Sequence, residues 1–386
     1  MQRSPIVYFL FFISGITALI YEIVWTRMLT LVFGHTVFSV SVVLAAFMAG
    51  LGLGSYLFGY AVDRLPEIGG NGSSAGGKAL LIYGWVEILI FTSGALLSFL
   101  FANFSGIYAS LHSVIPESIA LQNLIRMVFA FALMLIPTTL MGATLPIISK
   151  YCITDDSRIG TQVSLLYALN TLGGALGCLM AGFFLMGTFG ILQTVLLAAG
   201  ANLLIGIGAL SIYLETVPGA DWKFHLPPLR APHIDWSREQ KFWMGISFIC
   251  GFTALAYEVL WTRLLVFSTA STIYSFSMML TVFLLGIFLG SLLLIPLAAR
   301  IHNIRTALLI LQVGTGLYVI GSIYGLESIL SAPWNGYNLS QPLSAFLRYF
   351  KDSAGLMLIP TVFLGMCFPL LVKMISGKHQ NIGKAT

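Results

Sequence analysis

Two stretches of the chain set the residue types of acid–base and cation chemistry side by side in apolar surroundings. Gly15-Ile-Thr-Ala-Leu-Ile-Tyr21-Glu22-Ile-Val-Trp25-Thr26-Arg27 returns as Gly251-Phe-Thr-Ala-Leu-Ala-Tyr257-Glu258-Val-Leu-Trp261-Thr262-Arg263. A charge inside hydrocarbon costs roughly 2.5–3.5 kcal/mol on insertion scales and is usually kept for function. On a helix Glu22 and Thr26 share a face, whereas Arg27 lies about 140° round from Glu22. Acid and base are therefore expected to pair between helices rather than within one. Two readings stand: a cation site or gate formed by two symmetry-related acids, or paired hydrogen-bond networks that lock the halves together. The binding or gating candidates are Tyr21, Glu22 and Arg27 with Tyr257, Glu258 and Arg263.

Two more polar residues fall inside apolar runs. Glu87, in Tyr83-Gly-Trp85-Val-Glu87, has no acidic counterpart in the second half, where the third helix reads Leu308-Leu-Ile-Leu-Gln312. It is either a functional acid or a bundle-facing carboxyl satisfied by hydrogen bonds. Asn170, in Tyr167-Ala-Leu-Asn170-Thr171, reads as interhelical glue with a functional alternative. Gly50-Leu-Gly52-Leu-Gly54 imitates a nucleotide loop but has no following Lys-Ser/Thr and no preceding strand, so close helix packing is expected. Cys152, Cys178, Cys250 and Cys367 show no CxxC, and the six histidines are dispersed, so neither a disulfide framework nor a metal site is expected. No catalytic constellation and no cofactor motif is found. The polar segments are too short to fold as a nucleotide-binding domain, so an active site would be intramembrane, on another chain, or on a continuation of this one.

The elements that must position these residues follow from composition. Of 386 residues, 58% are hydrophobic and only 9% charged, with mean hydropathy +0.93. A soluble domain carries roughly 25% charged residues, so this is an all-α polytopic membrane protein. Apolar runs at about 6–33, 37–62, 79–103, 122–149, 164–187, 190–214, 242–268, 272–299, 305–330 and 350–375 predict ten spanning helices. The polar linker 215–241, with Pro218, Pro227, Pro228 and Pro232, separates an N-terminal unit 1–214 from a C-terminal unit 242–386.

The two units are repeats in parallel order. Between 14–29 and 250–265 ten of sixteen positions are identical, at an offset of 236. Gly50-x-x-x-Gly54-Ser55 matches Gly286-x-x-x-Gly290-Ser291 at that same offset. Pro137-Thr-x-x-x-Gly142-x-x-x-Pro146 with Lys150 matches Pro360-Thr-x-x-x-Gly365-x-x-x-Pro369 with Lys373, now offset by 223. Six helices thus face four, and the second unit reads as a truncated six whose native sequence is expected to continue past Thr386. Basic residues gather on one side, among them Arg3, Arg64, Lys78, Lys150, Arg158, Lys223, Arg230, Arg300, Arg305 and Lys373. The positive-inside rule then puts the N-terminus in the cytoplasm of a bacterial-type inner membrane, and it accounts for the +5 charge without nucleic acid.

At these residues the chain resembles the membrane part of the fused major-facilitator/spermidine-synthase-like family. The resemblance is carried by Ser14-Gly15-x-x-Ala18-Leu-x-Tyr21-Glu22-x-x-Trp25-x-Arg27 and by Phe47-Met-Ala-Gly50-Leu-Gly-Leu-Gly54-Ser55. Met141-Gly142-Ala143-Thr-Leu145-Pro146 and Tyr167-Ala-Leu-Asn170-Thr171-x-Gly173 extend it along nearly the whole chain. It implies a major-facilitator-like arrangement in which the first, fourth, seventh and tenth helices line a cleft. It also implies a cytoplasmic aminopropyltransferase-like domain after the last helix, which would extend putrescine with decarboxylated S-adenosylmethionine. The sequence stops before such a domain, so no catalytic residue carries over and these residues are not expected to be an enzyme. Three functions are expected from this: a membrane module of a polyamine-synthase-like protein that anchors it and passes a polycation, a stand-alone transporter, or a structural subunit of a larger membrane complex. The expected partners are membrane lipid, the aminopropyltransferase-like domain or other membrane subunits.

Overall fold

The computed structural model describes residues 5–33, 36–63, 65, 73–103, 118–152, 159–217, 237–269, 273–297, 300–301, 303–330 and 342–376. Among them are ten helices long and apolar enough to cross a membrane and no strands, which makes this an all-helical, multi-pass membrane protein. The first six are α1 (Pro5–Phe33), α2 (Thr36–Asp63), α3 (Ser73–Ala102), α4 (Ile119–Cys152), α5 (Ile159–Met180) and α6 (Ile191–Thr216). The others are α7 (Arg238–Thr269), α8 (Ile273–Leu297), α9 (Ile304–Leu330) and α10 (Pro342–Ser376). In hydrocarbon only internal pairing can satisfy backbone N–H and C=O groups, so each long apolar run closes on itself as a helix. Most of the linker, all six histidines and the loop cations Arg64, Arg158, Lys223 and Arg230 lie outside the described residues.

Several ends extend beyond their apolar runs. α10 begins at Pro342, eight residues before the run that predicts it, because its first turns are amphipathic; Arg348 and Asp352 pair there at 3.9 Å. α7 opens with a capping box, in which Gln240 N–H donates to Ser237 Oγ and Ser237 N–H to Gln240 Oε1, both at 3.1 Å. α5 continues past Met180 through a π-helical turn, Ala181–Leu185, and a last turn to Phe189. Gly190, at φ +82°, then turns the chain directly into α6.

The contacts of one unit recur in the other at the positions that the sequence offsets relate. Gly50 lies against Thr138 where α2 meets α4, and Gly286 against Thr361 where α8 meets α10. Gly142 faces the Leu51 carbonyl as Gly365 faces that of Ile287. Ser55 Oγ donates to the Gly142 carbonyl at 2.9 Å, and Ser291 Oγ to that of Gly365 at 3.1 Å. The internal prolines Pro137 and Pro360 each precede a threonine whose hydroxyl bonds back into its own helix, to Met134 and Met357 at 2.7 Å. Small residues bring these backbones together because lipid supplies no hydrophobic force between helices.

The units meet chiefly where α5 lies along α8. Thr281 Oγ reaches the Ala175 carbonyl at 3.5 Å, and Gly182, in the π turn, sits directly on Ser277. Around this seam Tyr167 stacks on Phe368 of α10 at 4.4 Å, and Phe183 packs on Tyr274 and Phe346, each at 5.4 Å.

Candidate functional site

Tyr21 and Glu22 are adjacent on α1 and, at about 100° per residue, address two different polar centres. Tyr21 turns into the first unit. Its ring packs on Trp25 at 4.9 Å and against Gly94 of α3, which has no side chain to obstruct it. Trp25 in turn packs on Phe47 at 5.7 Å and donates its indole N–H to Ser98 Oγ at 2.8 Å.

Close to the Tyr21 hydroxyl lies the first centre, built on Glu87. The carboxyl is fully buried and both its oxygens are engaged. Ser14 of α1 donates its hydroxyl to Oε1, and Asn202 of α6 donates Nδ2 to Oε2, both at 2.6 Å. Glu87 therefore ties α1, α3 and α6 together. Neither donor is among the residues picked out from sequence, although each left a signal. Asn202 is an amide in the middle of an apolar run, and Ser14 opens the repeated motif at the place where the second copy has Cys250.

Gln312 takes the part of Glu87 in the second unit. Its Nε2 approaches Cys250 Sγ at 3.2 Å and Cys367 Sγ at 3.5 Å. Cys250 occupies the place of Ser14, so the Ser14–Glu87 link of the first unit has a Cys250–Gln312 equivalent. An amide and a thiol thus replace a carboxyl and a hydroxyl at corresponding positions.

The second centre lies between the units. Glu22 and Glu258 are each 2% exposed and near enough for their charges to interact, and the Cys178 thiol of α5 lies within the field of both. Unlike Glu87, each has an oxygen, Oε1, that is buried without a hydrogen-bond partner among the described residues. The surroundings are repeated around each acid. Thr26 bonds the Glu22 carbonyl and Thr262 the Glu258 carbonyl, both at 2.8 Å. Tyr257 stacks on Trp261 at 5.3 Å, and Trp261 meets Phe283 at 6.4 Å. Arg27 and Arg263 are exposed, and no ion pair joins either to a glutamate among the described residues. Asn170 lies elsewhere, with its carbonyl and Oδ1 against Gly15 at the α1–α5 contact.

The site therefore consists of two buried carboxyls, one from each unit, with no ion pair to a basic side chain among the described residues. Among the described residues no group of three His, Cys, Asp or Glu side chains is disposed to hold a metal ion. Comparison with protein-family models and with curated proteins finds no match.

Proposed function

We propose that this chain is a membrane module that takes a cationic solute between two parallel repeats, with Glu22 and Glu258 as its paired ligands. One observation carries the reading: two repeat-related carboxyls from different units are both buried with an oxygen that has no partner among the described residues, while the third buried glutamate has both oxygens engaged. A buried polar atom without a partner is costly, and a ligand that supplies the missing partner recovers that cost. A pair of carboxyls suits a cation with an N–H donor at each end.

The sequence resemblance to the fused major-facilitator/spermidine-synthase-like family names the solute class as polyamine. It also supports a major-facilitator-like arrangement of six and four helices, and a cytoplasmic aminopropyltransferase-like partner domain. The loop cations support a cytoplasmic N-terminus in a bacterial-type inner membrane. In this reading the units rock against each other along the α5–α8 seam and expose the carboxyls alternately to either side.

The test is binding and uptake of radiolabelled putrescine and spermidine by proteoliposomes. Glu22→Gln and Glu258→Gln are each expected to lower uptake at least ~10-fold, because a charge-assisted contact is lost, while leaving folding intact. Unchanged uptake in the double variant would sink the proposal. A second reading, a structural subunit of a larger membrane complex, is favoured by the open outer faces of α7 and α9.

A further inference from the structure

Two of the four cysteines meet at one amide in the second unit. Gln312 Nε2 of α9 lies 3.2 Å from Cys250 Sγ of α7 and 3.5 Å from Cys367 Sγ of α10, so a single NH2 group has both sulfurs within reach. The sulfurs can be no farther apart than those two distances laid end to end. Cys367 is buried, and Cys250 and Gln312 are half-buried. The cysteines pack with apolar side chains that include Leu294, Leu308, Leu370 and Leu371. No spacing in the sequence announces this pair, because its members come from different helices.

The first unit carries hydroxyls at both places. Cys250 stands for Ser14 at the offset of 236, and Cys367 stands for Thr144 at the offset of 223. Ser14 donates to Glu87, and Thr144 bonds back to the Met141 carbonyl of its own helix at 2.7 Å. The second unit thus has two soft sulfurs where the first has two hard oxygens, and it gathers them on one amide. Neutral thiols make poor use of that amide, since sulfur is a weak acceptor. On metal-bound thiolates the same two N–H groups become charge-assisted donors that orient the ligating sulfurs.

We propose that Cys250 and Cys367 bind one soft monovalent cation of the Cu(I) class as a two-coordinate dithiolate, with Gln312 donating to both sulfurs. Two S–H bonds break, two sulfur–metal bonds form, two protons leave to water, and the metal keeps its oxidation state. The bound group carries one net negative charge, which the amide donors offset. Thiolates suit Cu(I). A structural zinc site asks for four ligands, and among the described residues no group of three His, Cys, Asp or Glu side chains is disposed to hold a metal. The ion ties α7, α9 and α10 together, as Glu87 ties α1, α3 and α6 in the first unit. This site does not depend on the paired glutamates, and either reading can fail without the other.

The experiment is Cu(I) binding by the full chain in detergent, reduced and anaerobic, read by competition with a chromogenic Cu(I) chelator. One Cu(I) per chain is expected, with two sulfur neighbours in X-ray absorption. Cys250→Ser and Cys367→Thr install the residues of the first unit, so both proteins should fold, and each is expected to weaken binding more than ~100-fold. Gln312→Leu keeps both ligands, removes their donor and is expected to weaken binding about 10-fold. Cys152→Ser, at the end of α4, is the control and should bind as wild type does. No Cu(I) on the reduced protein, binding that survives both cysteine substitutions, unchanged binding by Gln312→Leu, or zinc held more tightly than Cu(I) would each overturn the proposal. Should a cysteine variant misfold, the metal's neighbours in the wild-type protein decide alone: two sulfurs uphold the proposal and any other set overturns it.

Discussion

Three buried glutamates that look alike in sequence are set apart by their partners. Glu87 accepts from Ser14 and Asn202 and is bound into the first unit, whereas Glu22 and Glu258 each have an oxygen without a partner among the described residues. Glu87→Gln can retain both contacts, because Asn202 can turn its unpartnered Oδ1 toward the new amide. Glu87→Ala strands two donors and opens a cavity, and is expected to cost about 3 kcal/mol. Thermal unfolding in detergent should then rank Glu87→Gln near wild type and Glu87→Ala far below it. Binding should rank the other way for the pair at the seam, where Glu22→Gln keeps the fold and loses the solute. A Glu87→Ala protein as stable as wild type would mean that the three-helix tie is not structural.

At the scale of the element, glycine spacing decides which helices touch. Gly50 and Gly54 are one turn apart on α2, and both lie on α4, where a Cβ would strike Thr138 and the Thr139 carbonyl. Gly52, between them, meets nothing within 4 Å. Gly54→Ala is therefore expected to destabilise by about 2 kcal/mol and Gly52→Ala to be neutral or slightly stabilising through better helix propensity. Gly290→Ala should repeat the loss in the second unit, where the Val362 carbonyl stands in the way. Equal effects of all three substitutions in thermal unfolding would contradict the seam. The close packing expected of the Gly-x-Gly-x-Gly run is found, but only two of its three glycines take part.

For the whole molecule, the seam of α5 on α8 is what brings the carboxyls together. α1 and α7 make little contact of their own, and Glu22 and Glu258 approach beside Cys178, on the helix between them. Gly182 lies on Ser277 at the π turn, an element often found at functional positions. Gly182→Val is expected to push the units apart. With a protease site introduced between residues 217 and 237, cleaved wild-type units should co-purify in detergent and the Gly182→Val units should separate about tenfold more. Units that stay together equally in both proteins would show that the seam tolerates a wedge there.

The number of helices and the bounds of most of them were legible in the chain itself. Bilayer thickness forces runs of about 20 apolar residues, and a duplicated motif repeats its own letters. That Glu87 has no acidic counterpart, with Gln312 opposite it, was also readable, but not which side chains either one meets. Only the tertiary structure decided which acids are satisfied by hydrogen bonds, and that Arg27 and Arg263 are exposed and pair with neither glutamate among the described residues. The reason is physical: the partners of a side chain in a bundle come from helices distant in sequence, and a rotation of 100° between neighbours sends Tyr21 and Glu22 to different ones.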